Sequence, residues 1–199
     1  MTTETEYQNL VAQLRNRPEL PPLRPEHVWH PGLDAEIARL SPLSEWIGTR
    51  ADSAASGQAL MAVLYLWNDN LELAHQLVQD LATSTGSALH GIMHRREGDY
   101  DNAKYWFRRA GDHPAWHGLQ SRASEWLKDL AAKGGLPAGA AGEALRSITT
   151  QGIWNPYLFT DAVAMITSGA GQDESVSLLE ELQQQELAAF LRYLESRLM

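Results

Sequence analysis

Residues 88–110 read ALHGIMHRREGDYDNAKYWFRRA, and this stretch decides the fold. Its two ends have apolar residues at helical spacing, and the Gly-Asp-Tyr triplet between them is a turn signal. The same arrangement occurs 29 residues earlier without a gap, so that Ala74 aligns with Ala103 and Leu77 aligns with Trp106. Each unit predicts a helix, a tight polar turn and a second helix, with the small alanine where the two helices approach closely.

The rest of the chain also favours helices. Apolar residues recur at helical spacing in further segments, namely residues 4–16, 34–39, 42–47, 116–133, 143–149, 157–167 and 173–198. No segment has a strong β-strand or β-hairpin pattern. The 199 residues therefore predict an all-α fold in a single closed helical domain. Within it we expect an N-terminal arm with short helices at 1–57, repeat-like helical hairpins at 58–133 and C-terminal helices at 143–199.

Composition limits the partners and the compartment. Asp and Glu outnumber Lys and Arg by 25 to 16, which gives a formal net charge of −9. An acidic chain is a poor match for phosphate backbones, so we expect no nucleic-acid partner. The absence of cysteine is compatible with a reducing compartment. Because we find no signal-peptide pattern and no apolar run near about 18 residues, we expect a cytoplasmic protein that does not enter a membrane. The oligomeric state is left open.

Residues 88–110 resemble a tetratricopeptide or Sel1-type repeat, although the period of 29 is shorter than the tetratricopeptide repeat of about 34 residues. A longer run, LHGIMHRREGDYDNAKYWFRRAGDHP at 89–114 with LWNDNLELAH at 66–75, resembles a functionally uncharacterised family of small helical proteins found in bacteria and fungi. The resemblance covers about a quarter of the chain and brings no activity with it. The tetratricopeptide likeness implies that the first helix of each hairpin lines a groove, so that His90, His94 and Glu97 face it.

These three side chains form a candidate metal site. At about 100° per residue, His90, His94 and Glu97 lie on one helix face. Two imidazoles and a carboxylate at this spacing can converge on one ion, and His75 is the expected contributor from the neighbouring hairpin. The alternative is a pair of hydrogen-bonded histidines that line the groove. We therefore expect no cofactor by default, with zinc or another divalent metal as the alternative.

Basic residues cluster around these histidines although the chain is acidic. Five of the sixteen lysines and arginines fall between positions 95 and 109. Guanidinium groups and imidazoles on one surface suit an anionic ligand. The alternative is that the bases pair with nearby acids, and that Arg96 turns inward to hold the neighbouring hairpin. The predicted ligand-binding residues are His75, His90, His94, Arg95, Arg96, Glu97, Lys104, Arg108 and, at the rim of the groove, Trp67.

Two functional hypotheses follow. The first is a helical binding or scaffold protein whose His/Arg-lined groove recognises an anionic small molecule or an acidic peptide. The second is a small enzyme, with or without a metal, that uses His90 or His94 as acid, base or ligand and Arg95, Arg96 or Arg108 to hold an anion. The sequence has no hydrolase-elbow, Walker or dinucleotide motif, so it names neither a reaction nor a catalytic residue.

Overall fold

The computed structural model describes residues 3–40, 53–170 and 173–198, and all regular structure in these ranges is helical. The all-α prediction is confirmed. The predicted helix at 42–47 lies outside the described residues. The described α-helices are α1 (Thr3–Arg15), α2 (Pro31–Arg39), α3 (Ser53–Trp67), α4 (Leu71–Val78), α5 (Ser84–Glu97), α6 (Tyr100–Ala110), α7 (Leu119–Ala132), α8 (Gly139–Thr149), α9 (Pro156–Met165) and α10 (Asp173–Leu198). A 3₁₀ turn at Pro114–Trp116 precedes α7, and a π-helical segment at Ile166–Ala170 follows α9.

Two tight turns fold α3 with α4 and α5 with α6 into hairpins. In the first turn, residues 68–70, Asp69 has a φ of 63°, and the side chain of Asn70 caps α4 by accepting a backbone N–H bond of 3.0 Å. In the second turn, Gly98 has a left-handed φ of 87°, and Asp99 caps α6. Asn, Asp and Gly are the residues that cap helices or tolerate left-handed backbone, which is why the sequence predicts turns at these positions.

Small residues let the helices approach within the hairpins. Ala74 in α4 and Ala103 in α6 are fully buried. A Cβ added to Gly91 in α5 would lie 2.6 Å from the ring of Phe107 in α6, so this crossing requires glycine. The hairpins are present near the predicted positions, with α5 beginning at Ser84 rather than at 88 because Thr83 caps it. The similarity of these hairpins to tetratricopeptide repeats stays a prediction.

The long helix α10 packs against α3, α7 and the 3₁₀ turn. Its apolar face contributes a run of fully buried side chains to the core, namely Leu179, Leu182, Leu187, Phe190 and Leu191. The proline-rich arm that follows α1 is fixed to the same core, since Gln183 of α10 donates to the carbonyl of Pro21 (2.9 Å) and Arg17 donates to the carbonyl of Trp67 (3.0 Å). The arm therefore lies over the hairpins as an ordered layer.

Among the described residues, none of the helices combines the length and the apolar character that a bilayer-spanning segment requires.

Candidate metal centre

Three histidines from two neighbouring helices come together between the hairpins. His90 and His94 are four residues apart on α5, which places them on one helix face, and α4 packs against α5 and contributes His75. One ring nitrogen from each histidine lies within 4.8 Å of the other two. The ring centroids are 4.7 Å apart for His90 and His94, 4.9 Å for His75 and His90, and 5.5 Å for His75 and His94. We call these three residues the histidine cluster.

His90 is the most enclosed member of the cluster. Only 3% of it is exposed, and its ring stacks on Trp106 of α6 with a centroid distance of 3.9 Å. Burial first, and then the charges of His94 and His75, lower the pKa of His90 from 6.5 to about 3. The neutral ring keeps a lone pair, and its Nδ1 is buried without a hydrogen-bond partner in the described part of the chain. A buried polar atom of this kind favours a ligand at the site.

The orientation of His94 is set by two partners. Its Nδ1 lies 2.9 Å from Oε2 of Glu97. Because a carboxylate only accepts, Nδ1 carries the proton and Nε2 carries the lone pair. The amide nitrogen of Asn102 lies 3.2 Å from that Nε2 and 3.5 Å from Nδ1, and it also donates to Asp99 at 3.3 Å. The lone pair of His94 is therefore covered by an amide donor.

This arrangement suits a divalent ion with three imidazole ligands. Zinc–nitrogen bonds of about 2.0–2.1 Å place the nitrogens of a tetrahedral site about 3.3 Å apart, so small side-chain rotations would close the cluster onto an ion. The sequence predicts Glu97 as the third ligand, but the structure places its carboxylate behind His94 and puts His75 with the two histidines of α5. A carboxylate behind a ligating imidazole fixes the tautomer and strengthens the ligand.

Two of the predicted anion-binding arginines lie on the other side of α5, in the core. Arg95 is fully buried, bonds Glu186 of α10 at 2.5 Å and lies over the ring of Phe159. Arg96 is also buried and bonds Asp69 at 2.5 Å and the carbonyl of Pro22 at 2.9 Å. Positions 95 and 96 point away from His94 because successive helix residues are rotated by about 100°. Neither arginine lines a groove with the histidines, and the inward-turning alternative for Arg96 is the one observed.

The other predicted contact residues are dispersed. Lys104 pairs with Asp161 of α9. Arg108 is exposed and makes no ion pair within the described ranges. Trp67 is 1% exposed and lies in the core rather than at the rim of a groove, because the end of α3 is covered by the N-terminal arm.

Sequence reasoning missed Asn102 and Trp106. They are four residues apart on α6, and both face the histidine cluster. The sequence does carry a signal for these two residues. An amide and an indole at i,i+4 spacing lie on one face of α6, which forms a hairpin with the histidine-bearing helix α5.

No protein-family model matches the chain, and neither curated proteins nor solved structures give a match.

Proposed function

We propose that the protein binds one divalent transition-metal ion through His75, His90 and His94. The observation that carries the proposal is the meeting of three imidazoles from two helices, two of them buried, with their ring nitrogens within 4.8 Å of one another. The buried Nδ1 of His90 has no hydrogen-bond partner among the described residues, so this nitrogen is available to a ligand. Three neutral imidazoles suit zinc, copper or nickel better than magnesium or calcium, which prefer oxygen ligands.

Metal titration of the purified, chelator-treated protein tests the proposal. We expect one equivalent of Zn²⁺ per chain, measured by calorimetry or by competition with a chromophoric chelator. Single changes of His75, His90 or His94 to Ala should each weaken binding at least about ten-fold, because each removes one ligand. Glu97→Gln should weaken it about ten-fold through the loss of the carboxylate behind His94.

The matched control is His27→Ala, since His27 is an exposed histidine in the N-terminal arm. Its affinity for Zn²⁺ should equal that of the parent protein. Far-ultraviolet circular dichroism of every variant separates a lost ligand from a lost fold. A parent protein that takes up no zinc, copper or nickel would contradict the proposal, as would equal affinities in the three cluster variants and in the control.

Binding of an anionic small molecule or an acidic peptide remains a second proposal. This proposal needs a groove lined by His and Arg, yet Arg95, Arg96 and Lys104 already have carboxylate partners. What still supports it is exposed Arg108, for which the described residues supply no acid.

Acid–base catalysis by His94 is the enzyme alternative. The bond of 2.9 Å between Glu97 and His94 is the arrangement that orients an imidazole as a general base, with the lone pair on Nε2. The same pair would support a metal ligand, so the zinc titration separates the two: His94 can act as a base only if no metal occupies its Nε2 and the amide of Asn102 moves away from that atom.

A further inference from the structure

The histidine cluster would leave a bound metal ion with its full charge. Imidazole ligands are neutral, and none of the carboxylates in the described ranges belongs to the group of ligand atoms. Of the two carboxylates beside the cluster, Glu97 is engaged by His94 Nδ1 and Asp99 accepts from the amide of Asn102. A divalent ion held by three neutral ligands has an open coordination position and attracts an anion to it.

Asn102 supplies a hydrogen-bond donor at the same place. Its amide nitrogen lies 3.2 Å from the lone-pair nitrogen of His94, which is the atom that a metal would take. Metal binding would therefore remove the acceptor that this amide now has on the histidine. The side chain would stay nearby, because Asp99 accepts from the same amide nitrogen at 3.3 Å and also caps α6 through the backbone N–H of Asn102. An amide proton beside the metal then requires a new acceptor.

The site has one enclosed histidine and two partly exposed residues. Trp106 stacks on the ring of His90, which is buried. His75 and Asn102 are only half-buried, so an exogenous ligand can approach past them.

From these three observations we infer that the metal-loaded centre takes a carboxylate at its open coordination position, and that the amide of Asn102 donates a hydrogen bond to this ligand. The inference rests on the proposed metal-binding function and adds the class of ligand. Asn102 then has two opposite effects. Its amide competes with the metal for His94, and the same amide donates a hydrogen bond to the anion once the metal is bound.

The experiment measures both effects on the full chain. The Zn²⁺ affinity is obtained by chelator competition, and carboxylate binding is followed through the visible absorption of the Co²⁺-loaded protein during titration with acetate. For Asn102→Ala we expect Zn²⁺ to bind about five-fold more tightly, since a competing hydrogen bond is gone, and acetate to bind about ten-fold more weakly. In Asn102→Asp the new carboxylate should occupy the open position, so that Zn²⁺ binds more tightly and acetate no longer changes the spectrum.

Asn16→Ala, a change at an exposed asparagine after α1, is the matched control and should alter neither affinity. Titration with an acetylated tetraglutamate peptide distinguishes the two sources of a carboxylate. If the peptide binds with the same affinity per carboxylate as acetate, the ligand is assigned as a small molecule. If the peptide binds at least about ten-fold more tightly than acetate, the ligand is assigned as an acidic peptide.

Failure of this inference is distinguishable from failure of the proposed function. If Co²⁺ and Zn²⁺ bind but neither carboxylate probe changes the cobalt spectrum, the centre is a metal site and the inference about its ligand is wrong. Weaker Zn²⁺ binding by Asn102→Ala would also overturn it, because Asn102 would then be holding the metal rather than competing with it. Absence of metal binding in the parent protein would instead remove the proposed function itself.

Discussion

His113 is held in its neutral form by the structure that surrounds it. It is almost fully buried, and its ring stacks on Phe190 of α10. Its Nδ1 accepts the backbone N–H of Ala115 at 3.1 Å, so the proton is on Nε2, which lies 2.9 Å from the hydroxyl of Thr85. Burial first, and then the charge of His117, lower the pKa of His113 from 6.5 to about 4, although Asp112 acts in the opposite direction. Protonation of Nδ1 would break the bond to Ala115.

This histidine makes the stability of the protein depend on pH. Between pH 6.5 and pH 4 the unfolded chain binds a proton at His113 that the folded chain does not bind. The stability that neutral His113 gives the folded protein is therefore fully present above pH 6.5 and is lost as the pH falls towards 4. Below pH 4 this residue causes no further change in the free energy of unfolding. We expect this residue alone to lower the free energy of unfolding by about 3 kcal/mol over the window. Urea denaturation at pH 7 and pH 4.5 measures the change.

His113→Gln is the comparison, because glutamine offers an acceptor and a donor but does not titrate. The variant should lose most of this contribution to the pH dependence, while the contribution of His90 remains in both proteins. Equal pH dependence in parent and variant would show that His113 does not titrate as its surroundings imply.

At the scale of the elements, hairpin positions could be predicted because turn chemistry and helical spacing are local. Gly98 and Asp99 identify one turn from the sequence alone, and the spacing of His90 and His94 places both rings on one face of α5. The inward direction of Arg95 could not be predicted in this way. A helical pattern predicts that arginine lies at the surface. The partner of Arg95, Glu186, lies 91 residues further along the chain. The amide of Asn102 beside His94 likewise comes from a different helix, α6.

The contact between hairpin helices gives a prediction for α6. Ala103 is fully buried where α6 meets its neighbour, so Ala103→Leu should overpack the contact and lower the free energy of unfolding by about 1–3 kcal/mol. The matched control is Ala131→Leu, at an exposed position of α7, where the change should stay within about 0.5 kcal/mol. Chemical denaturation of both variants provides the numbers. An Ala103→Leu variant with the same free energy of unfolding as the parent protein would mean that the helices do not approach each other as closely as in the structure.

At the scale of the whole molecule, two buried ion-pair groups connect parts of the chain that are distant in sequence. Asp69, in the α3–α4 turn, accepts from Arg17 of the N-terminal arm and from Arg96 of α5. Glu186 of α10 accepts from Arg95 and, at 2.9 Å, from the indole N–H of Trp154. Buried charges of this kind add little net stability, but each one depends strongly on its partner.

That dependence can be measured with a double-mutant cycle. Glu186→Gln keeps an acceptor for Trp154 but leaves Arg95 buried without a counter-charge, so it should cost about 3–5 kcal/mol. Arg95→Met combined with Glu186→Gln should cost clearly less than the sum of the two single changes. Lys133→Met, which breaks the exposed pair with Asp129, is the control and should cost at most about 1 kcal/mol. Additive costs within the Arg95 cycle would contradict a coupled buried pair.

The pairing of Arg95 with Glu186 also constrains how the chain assembles while it is being synthesised. A ribosome that has released both hairpins has not yet made α10, so the guanidinium of Arg95 has no counter-charge and the core-facing side of α5 cannot be closed. The side of the nascent hairpins that α10 covers therefore stays uncovered by α10 until about 75 residues beyond Ala110 have been synthesised. Closure then brings the Arg95 charge pair and the apolar face of α10 into the core in the same step.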